Sequence, residues 1–185
     1  MKSKNLFLIL VFFLPTVYAQ AQVEGAYVDM KTFKAFGFGG HLNFKFPITE
    51  AGSLTTEAGI YMFKFEDRNA AVIPLLLGYQ HTLDGSGMGF FIEPLAGYTI
   101  GGTDWDREDE NGNTIYTVVD DIATTQNQKV KGITAGLATG YIFNGRTPIT
   151  IGLRYDRVFV AGDPAVNLFG LRVTWPLFGG RKEAY

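Results

Sequence analysis

Two arginines and three carboxylates lie at spacings that would let them meet. Arg154 and Asp156 are two residues apart, so an extended strand puts both on one face. Glu57, Glu93 and Arg172 fall in strand-like stretches, each about three to six residues in from a turn or chain end. His41 and Lys45 share a register in a further stretch. Gathered in a confined interior, these charges would have to pair, because a lone buried charge is costly. The favoured chemistry is a salt-bridge and hydrogen-bond plug; the functional alternative is a selectivity ring or a proton path.

Hydrolysis is disfavoured. It needs a histidine beside a nucleophile, with a third group to orient it. Only His41 and His81 exist; His41 is flanked by Gly37, Gly39 and Gly40, with no serine beside it, and His81 lies near a turn. A non-enzymatic chain with no catalytic residues and no cofactor is expected. The absence of cysteine removes thiol nucleophiles, thiolate metal sites and a lipidated cysteine. The segment 102–128 holds Asp104, Asp106, Glu108, Asp109, Glu110, Asp120 and Asp121 against Arg107 alone. Asp104, Asp106 and Glu108 alternate like calcium ligands, but an EF-hand loop needs glycine where Asp109 stands. The expectation is a solvated acidic loop without a metal.

The elements that carry these groups are strands. Turn residues divide the chain into segments at 23–30, 34–47, 53–66, 69–82, 87–101, 129–143, 147–160 and 165–178. The turns are Pro47–Gly52, Asp67–Asn69, Asp84–Gly87, Asn144–Arg146 and Gly162–Pro164. Most segments exceed the five or six residues of a soluble strand and match the 9–11 that cross a bilayer. In 147–160, Ile149, Ile151, Leu153 and Tyr155 alternate with Thr150, Gly152, Arg154 and Asp156. In the last segment Phe169, Leu171, Val173, Trp175 and Leu177 alternate with Gly170, Arg172 and Thr174; segments 87–101 and 129–143 behave alike. The second face is mostly Gly, Ala and Thr with a few charges. That composition suits a narrow barrel lumen better than a surface facing water, so the large apolar face must meet lipid.

The N-terminus supplies the route. Lys2 and Lys4 precede the apolar run Leu6–Leu14, then Pro15 and the small pair Ala19 and Ala21, the parts of a secretory signal peptide over 1–21. The mature chain would begin near Gln20 or Gln22. Losing Lys2 and Lys4 takes the formal charge from −2 to −4, which argues against a nucleic-acid partner. Aromatics collect where strands meet the short turns: Phe44, Phe46, Tyr79, Tyr141, Phe143, Trp175 and Phe178. Such rings favour a membrane interface. The single long connection, 102–128, would be the outer loop, with Glu110–Asn113 as the turn of a hairpin extending beyond the membrane.

Signal, eight alternating strands and an aromatic-bearing final strand together resemble the small outer-membrane barrels of the OmpA/OmpX type. The resemblance implies an all-β, eight-stranded, up-and-down antiparallel transmembrane barrel over 22–178, followed by a polar tail at 179–185. It implies residence in the outer membrane of a Gram-negative bacterium, contact with outer-membrane lipid and lipopolysaccharide, and passage through the insertion machinery. One departure stands out: the apolar register ends at Leu177, Phe178 falls in the opposite register, and the tail follows. The expected role is structural, or surface interaction through the acidic loop with an unidentified extracellular partner. Alternatives are a narrow porin-like channel for small or hydrophobic solutes and an accessory component of a secretion or assembly system.

Overall fold

The structure, a computed structural model, describes residues 18–31, 33–106, 108, 113–119, 122–125 and 127–177. Its strands are β1 (Tyr18–Asp29), β2 (Lys34–Pro47), β3 (Gly52–Phe65), β4 (Arg68–Thr82), β5 (Gly89–Asp106), β6 (Tyr116–Val119), β7 (Ile122–Thr125), β8 (Asn127–Lys129), β9 (Gly132–Phe143), β10 (Ile149–Val160) and β11 (Val166–Pro176). Strands β1 to β5 and β9 to β11 form a closed antiparallel barrel of eight. Neighbours in sequence pair in space, β5 pairs with β9, and β1 closes on β11. Closure leaves no exposed edge, the condition for a sheet to sit in lipid.

Side-chain alternation holds around the ring. In β10 the odd positions Ile149, Ile151 and Leu153 are exposed while Thr150, Gly152, Arg154 and Asp156 are buried. In β9 Ile133, Leu137, Tyr141 and Phe143 point out and Gly132, Thr134 and Ala138 point in. Phe38, Leu75, Leu153 and Leu171 are 65%, 48%, 61% and 55% exposed, on four different strands. A belt of large apolar side chains on every side has only lipid as a compatible solvent.

Local chemistry explains the turns. Asp84 accepts hydrogen bonds from the Ser86 N–H (3.1 Å) and Oγ–H (2.9 Å), which hold its carboxyl below the ordinary carboxylate range. Gly85, Gly87 and Gly89 all take positive φ there.

Several boundaries differ from the sequence reading. The first strand starts at Tyr18, not 23, because Ala19 to Gln22 pair with His41–Phe44 and, from Gln20 onward, also with Thr174–Pro176 on the other side. The turn after β3 is 66–67, not Asp67–Asn69; Arg68 and Asn69 already belong to β4, and Glu66 takes φ 54°. Strand β5 runs on to Asp106, and β8 pairs with its upper end, so β9 begins only at Gly132.

Residues 1–17 of the expected 1–21 leader, Phe178 and the expected tail 179–185 lie outside the described residues, while Tyr18–Ala21 of that leader form the start of β1. In the long connection, Glu108 and Thr114 form an antiparallel bridge, while most of the turn expected at Glu110–Asn113 lies outside the description. A second hairpin, β6 with β7, was not anticipated.

Candidate functional site: the barrel lumen

Inward side chains stack in three tiers from the end carrying the chain termini to the end carrying the long loop. The first tier is a vestibule of about 280 Å³ whose lining includes Gln20, Lys45, Ser53 and Thr150. Lys45 Nζ donates to Gln80 Oε1 at 2.5 Å, across from β2 to β4.

The second tier is charged and buried. Arg154 Nη1 pairs with Glu57, its Nε donates to Asp156 Oδ2 at 2.7 Å, and Glu24 Oε2 lies 3.8 Å away. Arg172 Nη2 pairs with Glu93, and its Nη1 stands 3.9 Å from Glu57 Oε2. The Arg172 guanidinium also lies over the Phe91 ring, 5.4 Å from its centroid. His41 Nδ1 is 2.8 Å from Glu57 Oε1, and its ring meets Tyr61 edge-on at 4.5 Å. Thr55 donates to Glu93 at 2.7 Å, Gln22 to Glu24 at 3.0 Å, and Thr174 to Gln22 at 3.1 Å. Every one of these charged side chains is at most 2% exposed. Glu57, Glu93, Arg154, Asp156 and Arg172 thus meet in one network joined by His41, while Lys45 sits a tier away.

Glycines make room for this network. A β-carbon at Gly170 would collide with the Glu24 carboxylate, and one at Gly59 with the His41 ring. The small inward face is therefore the complement of the large polar groups that cross the lumen.

The third tier is apolar and was missed in the sequence. Val28, Phe33, Tyr61, Phe63, Val72, Trp105, Val130, Val158 and Leu168 form a buried cluster toward the loop end. Phe33 and Trp105 rings lie 4.6 Å apart, and Arg68 covers Trp105 at 5.5 Å. The lumen is therefore not filled by small residues and charges alone. Glu24 and Gln22 were also missed, because the first strand's alternation was not followed. The signal for Tyr61 and Phe63 was available: they share parity with Glu57, so an inward Glu57 forces them inward.

Of the acidic-loop residues, Asp104 accepts from Asn69 N at 2.7 Å and Asn69 Nδ2 at 2.5 Å. Glu108 receives both Arg68 terminal nitrogens, at 2.7 and 3.4 Å. Asp106 is half-buried. Asp109, Glu110, Asp120 and Asp121 lie outside the described residues.

The interface aromatics Phe44, Phe46, Tyr79, Tyr141, Phe143 and Trp175 all occupy outward positions near the terminal end. A second group, Tyr27, Phe36, Tyr155 and Phe169, lies toward the other end on the adjacent strands β10, β11, β1 and β2, with neighbouring centroids 4.9–6.4 Å apart. Aromatics were expected at one end only. Ten residues separate Phe36 from Phe46; at about 3.3 Å each and a tilt near 40°, they span about 25 Å, the height of an apolar bilayer band.

Solved structures share this architecture. Neisserial surface protein A (NspA) superposes with a TM-score of 0.60 at 14% identity, over 87% of this chain and 96% of that one. Ail, the attachment invasion locus protein of Yersinia pestis, gives 0.58 at 10% identity, over 87% and 97%. The fold is that of the small outer-membrane β-barrels. The N-terminal β-barrel domain of Pseudomonas aeruginosa OprF gives 0.51 at 13% identity, over 85% and 97%. No protein-family profile and no curated protein matches the sequence. What this barrel shares with NspA and Ail is thus strand number, order and closure, while the lumen network is described from its own side chains.

Proposed function

We propose that this protein is a non-enzymatic outer-membrane barrel with a closed lumen, inserted after export by its N-terminal leader and acting at the cell surface through its long acidic loop. The observation that carries this reading is the pairing of two stacked seals: a cross-lumen ion network beneath an apolar cluster. Water would have to pass both. An eight-stranded interior is just wide enough for side chains to fill, and here bulky side chains from most of the strands fill it. The chain termini and the short turns at 48–51, 83–88 and 144–148 share one end, which we place in the periplasm; the 107–131 connection then faces outward.

At the surface the loop's charge selects partners. Ail has been solved with the heparin analogue sucrose octasulfate. The segment 102–128, with seven acids and one arginine, would repel such a polyanion, so a basic protein surface or a bound cation is the better complement here. Planar-bilayer recording of the refolded protein tests the seal. We expect no steady conductance; a large, persistent open level would establish the channel reading. Mass spectrometry of lipid A with and without the gene tests the non-enzymatic part, and an altered acylation pattern would overturn it.

A further inference from the structure

The lipid-facing wall carries a groove of about 670 Å³ at the loop end, over β2 to β5. Its floor is small because Ala71 and Gly102 face each other across β4 and β5, while Phe38 and Met62 continue the same row and form its apolar side. Lysines stand at both flanks. Lys64 is paired with Asn69 in register one step above that row, and Lys129 is opposite Gly102. Lys131 follows in the same outward register, one residue before Gly132, which pairs with Thr99.

All three lysines are exposed, and none of their ammonium groups makes an ion pair or hydrogen bond among the described residues. The one acid lining the groove, Asp104, already accepts two hydrogen bonds from Asn69. Three strand spacings separate Lys64 from Lys129, about 14 Å. The groove is continuous with the apolar belt below it, so whatever fills it has an apolar body in the bilayer and anionic groups at the rim.

We propose that this groove is a binding site for a phosphorylated, multi-acyl glycolipid of the outer leaflet. The acyl chains would lie over Ala71 and Gly102, and the phosphates would reach Lys64 on one side and Lys129 and Lys131 on the other. This rests on the reading that the loop end faces the cell exterior. The charge arrangement fits a lipid with phosphates at two separated positions better than a single-phosphate phospholipid, whose headgroup would meet only one flank.

Native mass spectrometry of the refolded full-length barrel, titrated with diphosphorylated lipid A, would test the site. Comparison probes are the same lipid with its phosphates removed and a phosphatidylglycerol. Wild-type protein should retain one lipid A, and K64Q/K129Q/K131Q should weaken retention about a hundredfold, each lysine contributing about fivefold near an anionic surface. Gly102→Phe, which fills the floor and leaves every charge, should weaken it about tenfold, the equivalent of two buried methylenes. Equal binding of the dephosphorylated lipid or of phosphatidylglycerol, retention by the triple variant within about twofold of wild type, or a second protein copy in place of the lipid would each overturn the proposal. Failure of the membrane reading would look different: wild-type protein would be soluble without detergent and show no heat-modifiable gel mobility.

Discussion

Arg154 is the most connected cation of the lumen, and its replacement by methionine has consequences that can be worked out group by group. Methionine keeps the stem's volume and removes the charge. Glu57 would retain His41 at 2.8 Å and Arg172 at 3.9 Å. Asp156 would lose its only ion-pair partner among the described residues, and Glu24 would lose its guanidinium and keep Gln22. A stranded buried carboxylate typically costs 3–5 kcal/mol. An upper limit comes from neutralising it: protonating a carboxyl that ordinarily titrates near 4 costs about 4 kcal/mol at neutral pH.

Arg154→Met should therefore lose about 3–4 kcal/mol, measured by urea unfolding in lipid vesicles with gel mobility as the readout. The second substitution is the sharper discriminator. Asp156→Asn added to Arg154→Met should restore more than half of the loss, whereas Glu57→Gln added to the same variant should restore little, because Glu57 keeps the Arg172 guanidinium and the His41 ring as neighbours. A loss for Arg154→Met under about 1 kcal/mol, the level of a solvated pair, would refute the reasoning. So would better rescue by Glu57→Gln.

Four further outcomes follow from the same geometry. Gly170→Ala should destabilise by about 1–3 kcal/mol, an overpacking penalty, because the new methyl meets the Glu24 carboxylate; the same urea assay reads it. Glu66→Gly should stabilise by about 1 kcal/mol by removing a side chain from a left-handed backbone position, seen as a higher urea midpoint at unchanged slope. Leu153→Arg, 61% exposed on the outer wall, should cost about 2–4 kcal/mol in a bilayer if it sits near the midplane, where a water-soluble surface would tolerate it. Arg68→Ala should change global stability by less than about 1 kcal/mol, as its pair with Glu108 is partly exposed, yet limited proteolysis should cut the 107–131 connection faster.

The barrel was legible because a lipid-facing strand must alternate in size as well as polarity. Ile149, Ile151 and Leu153 against Thr150, Gly152 and Arg154 say which face meets which solvent, and the same logic aims Glu57, Glu93, Asp156 and Arg172 inward. Which of these would meet was not legible. Cross-lumen contact depends on the stagger of strands far apart in sequence, as in Arg172 with Glu93 and Arg154 with Glu57. Glu24, inside the expected strand 23–30, escaped because that strand's alternation was not followed, and Gln22 because Tyr18 to Gln22 were not read as strand, yet they pair as one. The apolar tier escaped because large residues were assigned outward throughout; Trp105 and Phe33 lie at strand ends, where alternation gives way to loop packing. The β6–β7 hairpin pairs two strands of only four residues each, too short for a periodicity to announce it.

The two faces of β10 offer the most direct test, and the cysteine-free sequence makes it simple. Single cysteines at each position from 149 to 156 would carry a nitroxide in the vesicle-inserted barrel. Collision rates with oxygen, which partitions into lipid, and with an aqueous nickel complex would then be measured. Labels at 149, 151, 153 and 155 should collide with oxygen, and labels at 150, 152, 154 and 156 with neither reagent. Access of the nickel complex to the even positions would mean an open pore, and access to the odd positions would mean that the apolar face does not meet lipid.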